Sequence, residues 1–394
     1  MKKFAIVFFA CAAACLAQRE VGYDRSVVSQ VRIDARDLGY PPVDVIPDDE
    51  SAVHALTVGP DGTLYGATSG KRSHLFVLYP VHGYVQPLGY LKDVAAVHRG
   101  LVVAKDGQVY IGGSNGVDTQ RAGYDNYAGG HLLRYTPKND EAKPIRVDAP
   151  CDVADLGVPV PGEGVYALAI DRTRDIIYGL SYPNGELFSY SIADRKFTIL
   201  GKVAEKPIPG ERFEKDKNIS RELLVLSDGS VFASGEDAVL FRFDPATHQL
   251  TKLRLTAPTV PGRESYNRVD GWTEDQYGTI FGGTSDGYLF RLDPKTLQLA
   301  NLGKPLNQYR IRGLAFGHNG KLYGVGGDDD EMARLFSYDP SNGSYEMLGM
   351  VDVNRRPYYT WQGYVIDALV AGSDGTIYIG QAERKSKLYL YYPN

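Results

Sequence analysis

Hydrophobic and polar positions alternate along most of this chain in short runs, and one arrangement of them returns seven times. It first occurs as SAVHALTVGPDGTLYGATSG, residues 51–70: an apolar run, an Asp61-Gly62 turn signal, then a second run of small, aromatic and β-branched residues. A two-residue period on both sides of Asp-Gly predicts a β-hairpin. The arrangement recurs as RGLVVAKDGQVYIGGSNG from Arg99, YALAIDRTRDIIYGLS from Tyr166, RELLVLSDGSVFASG from Arg221, DGWTEDQYGTIFGGTSDG from Asp270, RGLAFGHNGKLYGVGG from Arg312 and DALVAGSDGTIYIGQ from Asp367. Six copies carry a turn glycine (Gly62, Gly107, Gly229, Gly278, Gly320, Gly375), the nearest two being 42 residues apart, and the third turns near Asp175.

Each copy continues into a third strand, such as HLFVLYP, LFRLDP or LFSYDP, and most into an outer fourth, such as KFTILGKV or SYEMLGMV. About four strands per copy at this period describe the blade of a β-propeller. The last copy stops after its third strand, LYLYYPN, while residues 27–38 near the N-terminus, VVSQVRIDARDL, look like an outer strand. The expected fold is therefore all-β, a seven-bladed β-propeller whose ring is closed by an N-terminal strand completing the last blade, which leaves no open edge.

Composition narrows the organisation. A chain of 394 residues allows two or three domains, but the copies run to the C-terminus without a linker, so one domain over residues 18–394 is expected. Residues 1–17 combine two lysines, the apolar run AIVFFACAAACLA and small residues at Cys15 and Ala17, the pattern of a cleavable secretory signal. Export to the periplasm or cell surface follows, with a lipid anchor on Cys11 or Cys15 disfavoured because no Leu-type residue precedes them. No other stretch is long and apolar enough to span a bilayer. The formal charge of −5 becomes more negative when Lys2 and Lys3 leave, which argues against nucleic acid or anionic lipid as partner. Cys151 is then the one remaining cysteine, so packing and ring closure, not an internal disulfide, must hold the chain; a monomer is expected.

Candidate chemistry emerges from one position. The residue at the start of each innermost strand, eight before the turn glycine where there is one, is His54, Arg99, Tyr166, Arg221, Asp270, Arg312 or Asp367. All seven are polar or ionisable, although a packed blade favours apolar residues. Propeller channels are wet, and Asp270 and Asp367 can simply pair with neighbouring arginines. The functional reading is a concave, charge-dense pocket at the mouth of the channel. Arg99, Arg221 and Arg312 suit a carboxylate-bearing ligand, which guanidinium groups grip in planar bidentate fashion. His54 and Tyr166 are the candidates for proton transfer, in either order. Insertions at 115–130, 202–219, 256–268 and 352–363 emerge on the same face, and they bring Arg121, Tyr124 and Tyr127, with Trp361 and Tyr364, as a candidate aromatic wall for a sugar ring. His98, His74 and His131 belong to that face too, with His98 a candidate substrate contact. His82, His248 and His318 fall towards the opposite face.

Other chemistries lack their residues: the chain has no HExxH, CxxC, GxSxG or Walker-type loop. No cofactor is expected. The acidic run Asp328–Glu331 is the place for a structural Ca²⁺, though it lacks the spaced ligands of a dedicated loop.

The stretches SAVHALTVGPDGTLYGATSGKRSHLFVL, AAVHRGLVVAKDGQVYIGG and IRGLAFGHNGKLYGVGG resemble a family of secreted seven-bladed propeller enzymes that act on the L-rhamnose-α-1,4-D-glucuronate cap of arabinogalactan. The resemblance covers essentially the whole mature chain. It implies removal of terminal rhamnose, either by a lyase or by an α-L-rhamnosidase. The arginine-rich ring favours elimination at the uronate, because a hydrolase normally places two carboxylates about the bond and Asp270 and Asp367 are the only such pair. The competing classes are a non-catalytic glycan-binding propeller and a metal-dependent lactonase-like propeller; the scarcity of Glu and Asn in the ring argues against the latter.

Overall fold

The computed structural model describes residues 33–34, 46–79, 84–114, 127–137, 147–204, 219–328, 331–355, 359–383 and 386–393. Seven four-stranded antiparallel sheets form along the chain. Their inner strands are Ala52–Val58, Leu101–Val103, Gly164–Asp171, Leu224–Val225, Val269–Glu274, Ile311–Phe316 and Ile366–Ala371, in blades 1 to 7. Each inner strand touches the next, and the seventh touches the first, so the sheets close a ring about a central axis. The fold is the expected seven-bladed β-propeller.

Six blades run from axis to rim in sequence order. The seventh borrows its outer strand: Ile33–Asp34 pairs antiparallel with Lys387–Tyr391, placing Ile33 opposite Leu388 and Asp34 opposite Lys387. Blade 1 also packs against blade 7 through a shared core that includes Phe76, Leu78, Tyr378, Leu388 and Leu390. One element departs from expectation. The insertion ahead of blade 7 contains an extra hairpin, Asp352–Arg355 with Tyr359–Gln362, whose strands pair only with each other. Its sequence carries no Asp-Gly signal of the kind that marks the blades.

The repeated turns work as their chemistry predicts. Asp61 accepts the Thr63 N–H at 3.0 Å and the Thr63 hydroxyl at 2.9 Å, and Gly62 takes φ +84°. Equivalent side-chain-to-backbone bonds recur at Asp106, Asp228, Asn319 and Asp374, and in blade 5 Asp275, three residues ahead of Gly278, accepts the matching Thr279 N–H. Such a carboxylate or amide satisfies a turn N–H that the ladder leaves open.

Inside the blades a phenylalanine of the third strand lies over a glycine of the second, in the pairs Gly66/Phe76, Gly179/Phe188, Gly282/Phe290 and Gly324/Phe336. A Cβ at any of these glycines would stand 2.1–2.4 Å from the ring. Because the glycine leaves that space, each ring is fully buried, an effect of about 1.5–3 kcal/mol per ring.

Candidate active site

The ring position is marked by a backbone irregularity. In five blades the inner-strand ladder skips one residue near its start, and the skipped residues are His54, Tyr166, Asp270, Arg312 and Asp367. A β-bulge takes its extra residue out of the ladder and re-aims the side chain. Here it lets His54, Arg312 and Asp367, from three blades, meet one another at the starts of the inner strands, the funnel of the ring. In blades 2 and 4 the inner strands are shorter, and Arg99 and Arg221 precede them. Both are tied to the next blade: the Leu168 N–H donates to the Arg99 carbonyl at 2.9 Å, and the Arg221 N–H to the Val269 carbonyl at 3.2 Å.

Two buried carboxylates organise the charge. Asp367 accepts from Arg312 Nη1 at 3.1 Å and from Arg221 Nη2, and it lies 2.5 Å from His54 Nδ1. Burial alone would raise its pKa, but Arg221, His54 and Arg312 outweigh burial and hold the carboxyl well below the usual carboxylate range. Asp270 accepts from Arg268 Nε at 2.7 Å and Arg310 Nε at 3.1 Å. Burial again opposes ionisation, and Arg268, Arg310, Arg221 and Arg312 again prevail, so Asp270 stays ionised. Arg310 is itself brought down to about 10 by burial, with Arg312, Arg268 and Arg221 acting in the same direction.

Arg99 donates to the Arg312 carbonyl and stands 3.6 Å from Glu222, which accepts the Trp272 N–H at 2.9 Å. Burial pushes the Glu222 carboxyl up, and Arg99 offsets only part of that rise. The funnel thus gathers Arg99, Arg221, Arg268, Arg310 and Arg312 around Asp270, Asp367 and the less acidic Glu222. Cationic charge is in surplus, in low-dielectric surroundings where it acts strongly.

One wall of the funnel is aromatic. The rings of His54 and His98 are 5.4 Å apart, those of His98 and Tyr166 5.4 Å, and those of Tyr166 and Tyr182 5.0 Å. The contact with acceptor-only Asp367 makes His54 Nδ1 the protonated nitrogen and leaves Nε2 as the basic one. Both ring nitrogens of His98 are buried without a hydrogen-bond partner among the described residues. Burial pushes His98 down to about 3, with His54 and Arg221 adding to the effect, so this imidazole is neutral. The positions of Arg221 and Arg268 couple both electrostatically to the Tyr166 phenol.

All seven ring residues and His98 therefore meet at one place. Tyr127 lines a separate cleft of about 240 Å³ with His131 and Asp155. Arg121 and Tyr124 lie outside the described residues. The Tyr364 N–H donates to Glu383 at 3.3 Å, and the Trp361 side chain is not among those described. His74 is buried against Glu50 at 2.7 Å. A cleft of about 860 Å³ opens at the opposite end between blades 5 and 6 and includes His318; His248 lines another of about 590 Å³. These are grooves between blades whose linings include none of the seven ring residues, and His82 lies outside the described residues. Among the described residues no group of three or more His, Cys, Asp or Glu side chains is placed to hold a metal ion. The side chains of residues 328–331 lie outside that set.

Four funnel residues were not singled out from the sequence, and three of them leave a trace there. Arg268 and Arg310 stand two residues before the ring position, where the other copies have Ala52, Val97, Gly164, Ile219 and Val365. Glu222 stands one residue after it, where the others have Ala55, Gly100, Ala167, Gly271, Gly313 and Ala368. A charge at a position otherwise small or apolar was the usable signal. Tyr182, at the end of a second strand, carries none.

No family model matches the sequence, and no curated protein matches it. Solved structures do. A streptogramin B lyase aligns with TM-score 0.59 and 14% identity over 87% of this chain and 94% of its own. A catalytically inactive virginiamycin B lyase from Staphylococcus aureus, crystallised with quinupristin, gives 0.60 and 12% over 88% and 96%. The extracellular domain of BT4673 from B. thetaiotaomicron, described as part of a one component system, gives 0.57 and 17% over 92% of this chain and 40% of that one. Likeness at these identities establishes the propeller fold.

Proposed function

We propose that this protein is an exported lyase that removes terminal L-rhamnose from α-1,4-linked D-glucuronate in arabinogalactan-type glycans. The observation that carries the reading is the surplus of buried guanidinium charge facing a histidine whose tautomer is set by Asp367. A uronate carboxylate entering the funnel compensates that charge. Neutralised by arginine, it withdraws electrons from C5 and acidifies the C5 proton. His54 Nε2 takes this proton, the C5 electron pair forms the C4=C5 double bond, and the C4–O bond breaks. The Tyr166 hydroxyl protonates the departing rhamnose oxygen and is later reprotonated from solvent, to which His54 releases the proton it took from C5. The products are rhamnose and a 4,5-unsaturated uronate, with no water consumed.

In a D-gluco-configured uronate the C5 proton and O4 lie towards the same side of the ring, so base and acid can share a wall. His54, His98 and Tyr166 form such a wall. Two of the similar structures bear the name lyase, which accords with elimination on this scaffold.

Hydrolysis is the second reading, favoured by one observation: Glu222 is a carboxyl raised by burial, as a general acid must be. Asp270 and Asp367 are too strongly ionised to donate a proton. Incubation with a rhamnose-capped arabinogalactan decides between them. Rhamnose released together with ultraviolet absorbance from the unsaturated uronate supports elimination; rhamnose without absorbance assigns a hydrolase; substrate bound but unchanged assigns a binding module.

A further inference from the structure

Beside the funnel, on the face where the blade-to-blade links emerge, three loops of blades 5 and 6 carry a row of tyrosines and cations. Tyr266 is 66% exposed and Tyr309 47%. The Arg263 guanidinium lies between them, 5.8 Å from the Tyr266 ring centroid and 5.4 Å from that of Tyr309. Lys304 Nζ continues the row, 4.9 Å from the Tyr309 ring and 5.5 Å from that of Tyr288. Single exposed tyrosines are ordinary on a soluble protein. A contiguous row assembled from three separate segments is a patch, and patches of this kind mark binding surfaces.

The row is built, not incidental. Arg263 is held by Asp286, a fully buried carboxylate that accepts its Nε at 3.1 Å, the Thr259 hydroxyl at 2.7 Å and the Val260 N–H at 2.9 Å. Burying a carboxylate costs several kcal/mol unless it is paired and hydrogen-bonded, and this one is spent on fixing a surface arginine between two exposed rings. Ser285 joins the loops. Its hydroxyl donates to the Tyr266 carbonyl at 3.3 Å and its carbonyl accepts the Arg310 N–H at 3.0 Å. The strip is continuous with the funnel through the chain itself, since Arg310 follows Tyr309 and Arg268 lies two residues beyond Tyr266, and both arginines hold Asp270.

We infer that this strip is an extended subsite for the polysaccharide, binding pyranose rings that follow the uronate in the same glycan chain. Flat, rigid aromatic faces match the C–H faces of pyranose rings and lose little entropy on binding. Lys304 and the anchored Arg263 keep those faces oriented and give the strip a positive bias suited to an acidic polymer. The inference rests on the proposed function in taking the funnel as the place where the chain end is held. It adds that the enzyme reads a polymer and not only its terminal disaccharide.

The test compares the wild-type chain with Tyr266→Ala, Tyr309→Ala, the double variant and Tyr266→Phe, on rhamnose-capped arabinogalactan and on the rhamnose-glucuronate disaccharide. On the polymer each alanine should raise KM about three- to tenfold with kcat unchanged. On the disaccharide all variants should match wild type, and Tyr266→Phe should match it on both. Equal losses on both substrates, or no change on the polymer, overturn the inference. If wild type turns over neither substrate, the proposed function fails, and affinity electrophoresis in arabinogalactan gels still reads the strip. Retardation of wild type that the double variant loses supports it, and absence of retardation or equal retardation overturns it.

Discussion

Asp367→Asn removes one charge and almost no volume from the centre of the funnel. Asp367 is 1% exposed and faces Arg312, Arg221 and His54. The Arg221 and Arg312 side chains are themselves only 11% and 5% exposed, so water cannot replace what the carboxylate supplied. Breaking a buried pair by neutralising one partner costs about 3–5 kcal/mol. At about 2.1 cal/mol/K of unfolding entropy per residue, a chain of 394 residues loses roughly 4–6 °C of Tm for that cost. Catalysis suffers separately, because an amide no longer dictates that His54 carries its proton on Nδ1; a histidine deprived of such a carboxylate loses up to about 10⁴ in kcat.

The pH dependence has a fixed sign. The folded chain keeps Asp367 ionised to lower pH than the unfolded chain does, so its contribution is complete above about pH 4 and fades as pH falls towards the depressed folded value. The Tm difference between wild type and Asp367→Asn should therefore be full at pH 7 and shrink below pH 4. Differential scanning calorimetry across that range, with product assays at pH 7, measures both effects. Asp270→Asn is the control: its carboxylate is as deeply buried but pairs with Arg268 and Arg310, so stability should fall alike with a much smaller loss of kcat. An Asp367→Asn protein with unchanged Tm, or with full activity, would refute the reasoning.

Tyr166→Phe keeps the ring packed between His98 and Tyr182 and should lower kcat by about 10²–10⁴ with Tm within about 2 °C of wild type; steady-state kinetics beside a melting curve checks both. His98 is held neutral, down to about 3, by burial, whereas an unfolded histidine protonates near 6.5, so stability declines as pH falls from about 6.5 towards 3. Urea unfolding at pH 7 and pH 5 should show wild type losing up to about 2 kcal/mol more than His98→Gln, and equal losses would contradict the assignment. Gly66→Ala drives a Cβ to within 2.1 Å of the Phe76 ring and should cost about 1–3 kcal/mol, part of which Phe76→Leu should restore in the double variant, read by thermal unfolding.

Most of the architecture was legible because its signals are local and repeated. Asp61-Gly62 and its counterparts name the turn, and the residue eight positions earlier lands on a bulge in four blades because those hairpins share one loop length, while Tyr166 of the third blade joins them by alignment of its strand. The ring positions could thus be read without knowing their partners. Partners were harder. Periodicity places a side chain on the axis but does not say that Arg221 and Arg312 spend donors on Asp367, or that Arg268 and Arg310 enclose Asp270. Arg221 reaches Asp367 from three blades away, and Arg310 and Arg312 reach their carboxylates from a neighbouring blade. Arg268 and Arg310 also come from links between blades, where no alternation sets a register. The hairpin at 352–362 was missed for the same reason, since it answers to no neighbouring sheet.

Closure by Ile33–Asp34 has a bearing on the order in which the ring can assemble. The strand lies ahead of blade 1 in the chain, yet it finds its partner only once the third strand of blade 7, Lys387–Tyr391, is in place. Blade 7 also supplies Asp367, so without it the circle stays unsealed and His54, Arg221 and Arg312, from three other blades, lose the carboxylate that draws them together.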